Sequence, residues 1–377
     1  DTALSVLPLS HAFERLAGNF VPLTSGATIA YAESTKTVAK NLLEVQPTMM
    51  VCVPRLYEKV QGRVLENVEK SSALRRKIFF WALNIGKKVL YHPQNGNGDP
   101  WLKFKYRLAE KLVYNKIRKR TGGRIRFFVS GGAALPPSTA EFFLSVGLTI
   151  IEGYGLTECS PVLTANRLDD NRIGTVGKPI AGVQIKIAPD GEILAKGDNI
   201  MQGYYNLPED TKEVMLEDGF MATGDIGHFD EKGSLVITDR KKNIIVTSGG
   251  RNIAPTPIEN LLKQSKYISE VMLIGEGRHF LSALIVPDFE QLRVYAKQNN
   301  IPCDDDHALV RDSKVYFLIE SEIANFSKDL SDYEQIRKFT LLPREFSIVQ
   351  NELTPTLKIR RNVVTEKFLE TIESMYE

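Results

Sequence analysis

The chain is poor in the features that announce a function most directly. Its 377 residues contain three cysteines (Cys52, Cys159 and Cys303), far apart and in no CxxC or Cys/His cluster. That spacing argues against a disulfide framework or a zinc site and favours a reducing compartment, the cytoplasm. No apolar run reaches the ~18 residues needed to span a bilayer. The opening residues DTALSVLPLSHAFERL lack the basic start and the small-residue cleavage pattern of a secretory signal. There is no initiator Met, and the chain opens as if in the middle of a domain. Internal repeats, low-complexity stretches and a G-x-x-x-x-G-K-S/T phosphate loop are all missing.

What is present is an ordinary globular composition, 43% hydrophobic and 25% charged. It is long enough for roughly two or three domains. The net charge of +2 hides an asymmetry: between Lys59 and Arg126 there are 18 Lys and Arg against 4 acids, Glu66, Glu69, Asp99 and Glu110. The rest of the chain is therefore acidic. A basic block of this kind suits a polyanionic partner such as a nucleotide or an anionic lipid surface. Nucleic acid is not expected, because no recognition motif accompanies the charge.

Periodicity places the elements. Ser34 to Gln46 reads as a short helix and MMVCV (49–53) as a buried strand. Arg55 to Arg120 has a helical pattern, in which Ile78, Trp81, Ala82, Ile85 and Val89 form one apolar stripe that the turn residues of 92–100 interrupt. IRFFVS (125–130) is a strand, followed by the turn SGGAALPPS, a helix, and the strand LTIIEGYG. This order predicts a parallel α/β sheet. From Gly174 the texture changes to short glycine-punctuated strands, a β-rich subdomain. After DRKKN (239–243) a small α+β unit begins, with Thr256, Pro257 and Glu259 fitting a capping box. The expected domains are 1–173, with a helical basic insertion at about 55–122, then 174–241 and 242–377.

Several short segments could carry chemistry. Gly131-Gly132 after a strand would let backbone approach a nucleotide, or is simply a tight turn. In Tyr154-Gly155-Leu156-Thr157-Glu158 an aromatic ring can stack on a purine, a hydroxyl can bond a phosphate, and a carboxylate can hold Mg²⁺; the alternative is a turn with a solvated Glu. Thr223-Gly224-Asp225 offers a carboxylate on a glycine turn, able to accept both ribose hydroxyls, or else an ordinary hairpin turn. Lys358, in LTPTLKIRR, could offset charge where a carboxylate attacks a phosphate, or be a solvated lysine.

Taken in order, VSGGAALPP, YGLTE, GEILAKGDNIMQGYY, TGD, DRKKNIIVTSGGRNIAPTPIE and LTPTLKIRR resemble the adenylate-forming superfamily, and specifically its long-chain acyl-CoA synthetase branch. The resemblance runs from LPLSHAFER to the last 20 residues. It implies an adenylate-forming fold with a partial large domain and a small mobile C-terminal domain. It also implies ATP-dependent activation of a long-chain fatty acid as acyl-AMP, followed by transfer to coenzyme A, with Mg²⁺. His11 would border the acyl and phosphate sites. Gly131, Gly132 and Ala133 would line the adenine and acyl pocket, and Gly153, Tyr154 and Gly155 would flank the adenine. Thr157 would touch phosphates and Glu158 would hold Mg²⁺. Asp225 would bind the ribose with Arg240 assisting. Lys242 falls at the hinge, Gly249 and Gly250 in the loop for the thioester step, and Lys358 at the adenylation lysine. Leu357 stands where many relatives have glycine, a mark of the long-chain branch. The family's Ser/Thr/Gly-rich phosphate loop precedes LPLSHAFER and is absent, so the chain is expected to be an inactive N-terminally truncated form. Alternatives are an acyl-AMP ligase, an acyl–acyl carrier protein synthetase, or a non-catalytic nucleotide-binding fragment. The basic insertion could meet anionic membrane peripherally, with Phe79, Phe80 and Trp81 entering it; the reading preferred here is that these aromatics are core and the lysines a solvated face.

Overall fold

A computed structural model describes residues 1–34, 37–91, 99–303, 305–354 and 359–377 of the chain. It separates into two units: residues 1–223 with 227–237, and residues 224–226 with 238–377.

Short apolar runs alternating with helices build the first unit around a parallel sheet, as the sequence order predicts. Its strands are β1 (Thr2–Ser5), β2 (Thr28–Tyr31), β3 (Met49–Cys52), β4 (Phe127–Ser130) and β5 (Ile150–Tyr154), in the order β2–β1–β3–β4–β5. All four neighbouring pairs among them run parallel. Two short strands, β6 (Thr164–Ala165) and β7 (Lys178–Pro179), extend the sheet antiparallel. In register, Cys52 faces Ser130 and Ser130 faces Glu152, so β3 and β4 end level and β5 runs two residues further, to Tyr154. Open α/β sheets bind their ligands at such carboxyl edges.

The helices between strands are α1 (Val38–Val45), α2 (Pro54–Glu69), α3 (Ala73–Tyr91), α4 (Pro100–Ala109), α5 (Asn115–Arg120) and α6 (Pro137–Ser145). A π-helical turn, Glu110–Tyr114, joins α4 to α5 without a break. Two buried tyrosines lock this layer down. Tyr57 of α2 donates to Val129 O at 3.0 Å and meets Phe128 and Phe143 edge-on. Tyr114 donates to Ala82 O of α3 at 2.6 Å, fixing the basic insertion by its inner face. The stripe read from the sequence packs as expected, with Ala82 and Ile85 buried and Ile78 and Trp81 against the same core. For the aromatic triplet the core reading holds at two of the three positions, and membrane entry through Phe79 and Trp81 is set aside. Phe79 is buried and Trp81 packs on the core, because helical periodicity turns both inward, and only Phe80 is exposed.

The β-rich region consists of β8 (Gln184–Ile187), β9 (Glu192–Lys196), β10 (Met221–Phe229) and β11 (Leu235–Arg240), in the order β11–β10–β9–β8. Thr223-Gly224-Asp225 lies within β10 and not on a hairpin turn, although Gly224 keeps a φ of +70°.

The second unit holds a short antiparallel pair, β12 (Ile245–Val246) and β13 (Asn252–Ile253), then helix α7 (Pro255–Leu262). A three-stranded sheet follows from β14 (Ile268–Ile274), β15 (Leu281–Pro287) and β16 (Ile336–Leu341), with every residue of the central β15 buried. Helices α8 (Phe289–Gln298) and α9 (Ser313–Ser327) contribute Leu292, Ala296, Val315 and Ile319 to its core. The capping box does not form. Helix α7 starts two residues earlier, at Pro255 with Ala254 at the N-cap, and no side-chain cap comes from its own segment. Both roles pass to tertiary partners. Asp239 Oδ2 accepts the Thr256 N–H at 2.7 Å, placing an anion at the helix N-terminus. Glu259 turns inward, accepting the Leu273 N–H at 2.7 Å and pairing with Arg361.

Candidate functional site

In the first unit, candidate residues from three separate segments gather at the carboxyl edge of the sheet. The chain leaves β1 through His11, which is exposed and whose Nδ1 accepts the Phe13 N–H at 3.2 Å. Phe13 then covers the β4 turn: a Cβ built on Gly131 would lie 2.8 Å from its ring. Gly131 is buried beneath that ring, while Gly132 and Ala133 are exposed beside it. The segment is anchored by Glu14, the first residue of a π-helical stretch, Glu14–Phe20. Glu14 is fully buried and accepts from Ser5 Oγ at 2.6 Å. Burial pushes its carboxyl up, although Ser5 opposes the shift.

At the end of β5 the strand alternation buries Glu152 and Tyr154 on one face and leaves Gly153 half-buried on the other. The Tyr154 ring packs with Cys159, Leu163 and Ile193. It is a core ring here, so Gly153 is the part of this strand end open to a flat ligand. Glu152 receives the Leu135 N–H at 3.3 Å, and burial raises its carboxyl to about 7. Gly155 is required by close approach, since a Cβ there would fall 1.7 Å from Pro161 O. The chain then makes a single 3₁₀ turn, Thr157–Cys159, with Thr157 exposed and Glu158 half-buried. Two partners from the segment before β10 fix Glu158: its backbone carbonyl accepts from Met201 N at 2.8 Å, and its Oε1 accepts the Tyr204 hydroxyl at 3.0 Å. Sequence reading named Glu158 but not Tyr204, whose only signal was its place in the segment GEILAKGDNIMQGYY.

In the second unit, Arg240 Nε donates to Asp225 Oδ1 at 3.0 Å, with the carboxylate buried and the guanidinium exposed. Asp225 is thus a buried carboxylate oriented by Arg240, a group whose oxygens can accept from hydroxyls. Lys242 lies in the 3₁₀ turn Lys241–Asn243 directly after β11. Gly249 and Gly250 are exposed in a loop tied by Ser248, whose N–H donates to Arg278 O at 2.9 Å and whose Oγ lies 2.8 Å from His279 Nδ1. Lys358 falls outside the described residues; beside it, Leu353 and Ile359 form an antiparallel bridge. The support for that bridge went unread in the sequence. Glu352, fully buried, receives Arg344 through both nitrogens at 2.8 and 2.7 Å and the Ser347 N–H at 3.0 Å. Burial would raise its carboxyl, but Arg344 and the other donors hold it below the usual range.

Among the described residues no cluster of three or more His, Cys, Asp or Glu could form a dedicated metal cage. Mg²⁺ in a nucleotide site does not need one, since it keeps waters and takes one or two carboxylates plus phosphates. Glu158, with one oxygen committed to Tyr204, fits that donor set.

Residues 1–205 match the AMP-binding enzyme family, and residues 242–377 match the AMP-binding enzyme C-terminal domain. The chain belongs to the AMP-binding enzyme family. Curated relatives of this AMP-binding chain include the long-chain-fatty-acid–CoA ligase FadD15 of Mycobacterium bovis, 37% identical over the whole chain and 62% of the relative. Another is the long-chain-fatty-acid–CoA ligase ACSBG2 of Mus musculus, 35% identical over the whole chain and 60% of the relative. The chain thus spans about three fifths of the length of these relatives. Among solved structures, the adenylation domain of a carboxylate reductase from Mycobacterium chelonae aligns with a TM-score of 0.73 at 24% identity, over 99% of this chain and 54% of that one. ATP-bound MatB from Rhodopseudomonas palustris aligns at 0.64 and 22%, over 98% and 60%. These likenesses establish the adenylate-forming fold, α/β with a separate β-rich sheet and a C-terminal α+β part. Among the described residues no helix is long and apolar enough to cross a membrane.

Proposed function

We propose that this AMP-binding family chain serves ATP-dependent activation of a long-chain fatty acid to acyl-AMP and its transfer to coenzyme A. The observation that carries this reading is similarity along the entire chain to curated long-chain-fatty-acid–CoA ligases. The collection of His11, Gly131–Ala133, Gly153 and Glu158 at one sheet edge supports it. In this reading Thr157 meets the phosphates and Asp225, oriented by Arg240, takes the ribose hydroxyls. Glu158, aligned by Tyr204, holds Mg²⁺, which neutralises phosphate charge when bound. Lys358 offsets charge as the fatty-acid carboxylate attacks the α-phosphorus and pyrophosphate leaves. Residues 242–377 act as the mobile domain, with Lys242 as its hinge, and bring Gly249 and Gly250 to the thiol that attacks the acyl carbonyl and releases AMP. The basic region 59–126 meets an anionic membrane, the phase in which long-chain fatty acids partition.

Lys358→Ala in the complete gene product tests the assignment. Pyrophosphate exchange is expected to fall by at least about 100-fold, while CoA thioester formation from supplied acyl-AMP persists. Equal loss of both half-reactions overturns the role of Lys358. Acyl transfer to a carrier protein in place of CoA overturns the choice of acceptor.

A further inference from the structure

The continuous helix from α4 through α5 is held by one side only. Ala109, Val113, Tyr114 and Ile117 face the core. On the outside, Trp101, Phe104, Leu108 and Leu112 are 61, 56, 39 and 36% exposed. Their spacing of three, four and four residues places them on a single stripe along the helix. Trp101 and Phe104 stack on each other with centroids 5.6 Å apart, forming a flat aromatic plate in water. Such a stripe is costly to expose and is uncommon unless something covers it.

The charges around the stripe identify the cover. Lys103, Lys105, Arg107, Lys111, Lys116 and Lys119 interleave with it along the same helix, and Lys105 Nζ lies 5.0 Å over the Trp101 ring. Against them stand two acids, Asp99, which caps the helix by accepting from the Trp101 N–H at 2.9 Å, and Glu110, paired with Arg118 at 3.0 Å. An apolar stripe with aromatics, bordered by Lys and Arg on an amphipathic helix, is the composition of a helix that lies in a lipid interface. Aromatic rings sit at headgroup depth and the cations neutralise anionic headgroups.

We propose that α4, its π-turn and α5 form a docking surface for an anionic lipid bilayer, with Trp101 and Phe104 inserted and the flanking lysines on the headgroups. The surface differs from the one the sequence suggested, because Phe79 and Trp81 belong to the core. The binding stands on this surface alone. Its purpose, drawing fatty acid from the membrane, rests on the acyl-activating reading above.

The test is sedimentation of the chain with phosphatidylcholine vesicles containing or lacking phosphatidylglycerol, without ATP, fatty acid or CoA, so that its outcome is independent of the ligase assignment. Binding only to the anionic vesicles is expected, with a blue shift of tryptophan emission. The chain has two tryptophans, Trp81 and Trp101. Trp101→Phe should therefore remove most of the shift. Lys103→Glu with Lys111→Glu should weaken binding by about 25-fold or more, at about fivefold per cation. Trp101→Ser with Phe104→Ser should weaken it by at least about tenfold. All these positions are at the surface, and unchanged circular dichroism and thermal midpoint will show that the variants fold. Lys212→Glu with Lys232→Glu, remote exposed lysines, should leave binding intact. Equal binding to neutral vesicles, an equal loss in the remote double variant, or a blue shift that survives Trp101→Phe overturns the proposal. So does a concentration-dependent dimer abolished by Trp101→Ser with Phe104→Ser, which would make the cover a second copy of the chain.

Discussion

The hydroxyl of Tyr204 donates to Glu158 Oε1 at 3.0 Å, so the carboxylate assigned to Mg²⁺ is aimed by a residue 46 positions away. Burial and the accepting carboxylate both raise the Tyr204 phenol, which keeps it a donor at neutral pH. Groups that orient a ligand residue typically matter about 10–100-fold in metal affinity. Tyr204→Phe is therefore expected to raise the Mg²⁺ concentration needed for half-maximal pyrophosphate exchange about tenfold, with no change in folding. A Mg²⁺ titration identical to that of the parent would separate Tyr204 from the metal.

Gly153 and Gly155, two residues apart, should behave differently. At Gly155 an added Cβ meets Pro161 O at 1.7 Å, backbone that cannot yield, whereas at Gly153 the nearest atom is 3.5 Å away. Gly155→Ala is expected to cost about 3 kcal/mol of stability. Gly153→Ala should fold normally and weaken AMP binding, because its methyl would occupy the open face of β5. Denaturant titration and equilibrium binding of a fluorescent AMP analogue distinguish the two. Normal AMP affinity in Gly153→Ala would remove that residue from the site.

Glu152 supplies a pH dependence. Its folded carboxyl is raised to about 7 by burial, above an unfolded value of about 4.3. The native state thus holds a proton that the unfolded state has lost across this interval, so stability falls as pH rises through it and levels off above the folded value. Glu152→Gln keeps an acceptor for the Leu135 N–H and carries no charge. It should stabilise the chain by about 2–3 kcal/mol at pH 8 and have little effect at pH 4.5. Urea unfolding at both pH values checks this; an equal effect at both would mean that ionisation is not the cause.

Glu352 has the opposite sign. Its folded carboxyl is depressed, so its contribution is present above the unfolded value of about 4.3 and is lost as pH falls through the lower folded one. Arg344→Ala strips the bidentate partner from a fully buried carboxylate, leaving Lys367 at 3.3 Å. A loss of about 2–3 kcal/mol is expected at pH 7, shrinking in acid as Glu352 protonates. A loss of equal size at pH 3.5 would assign Arg344 a packing role instead.

Much of the fold was legible because local signals agreed with tertiary ones. The strand at 49–53 is a continuous apolar run and the one at 125–130 carries the apolar core Phe127–Val129, which suits parallel strands buried within a sheet. The stripe from Ile78 to Val89 fitted a helix, and the structure packs it accordingly. Where local and tertiary demands diverged, the sequence misled. Thr256-Pro257-Ile258-Glu259 has the spacing of a capping box, yet Arg361 draws Glu259 into the core and Asp239 takes over the helix end. For Phe79 and Trp81 the sequence left both a core and a membrane reading open, and packing selects the core.

The sequence by itself determined the family, through six motifs in fixed order, and with it the candidates proposed for the chemistry, Glu158, Asp225, Arg240 and Lys358. It also determined the class of fold, since hydrophobic period and strand–helix order are local properties of the chain. Only the tertiary structure decided which groups hold those residues: Tyr204 on Glu158, Asp239 on the Thr256 N–H, Arg344 on Glu352. It decided too that Trp101 and Phe104, not Phe79 and Trp81, reach the surface. The physical reason is common to all of these: a hydrogen bond or a burial between residues far apart in sequence depends on how elements pack, and leaves no periodic trace in the chain.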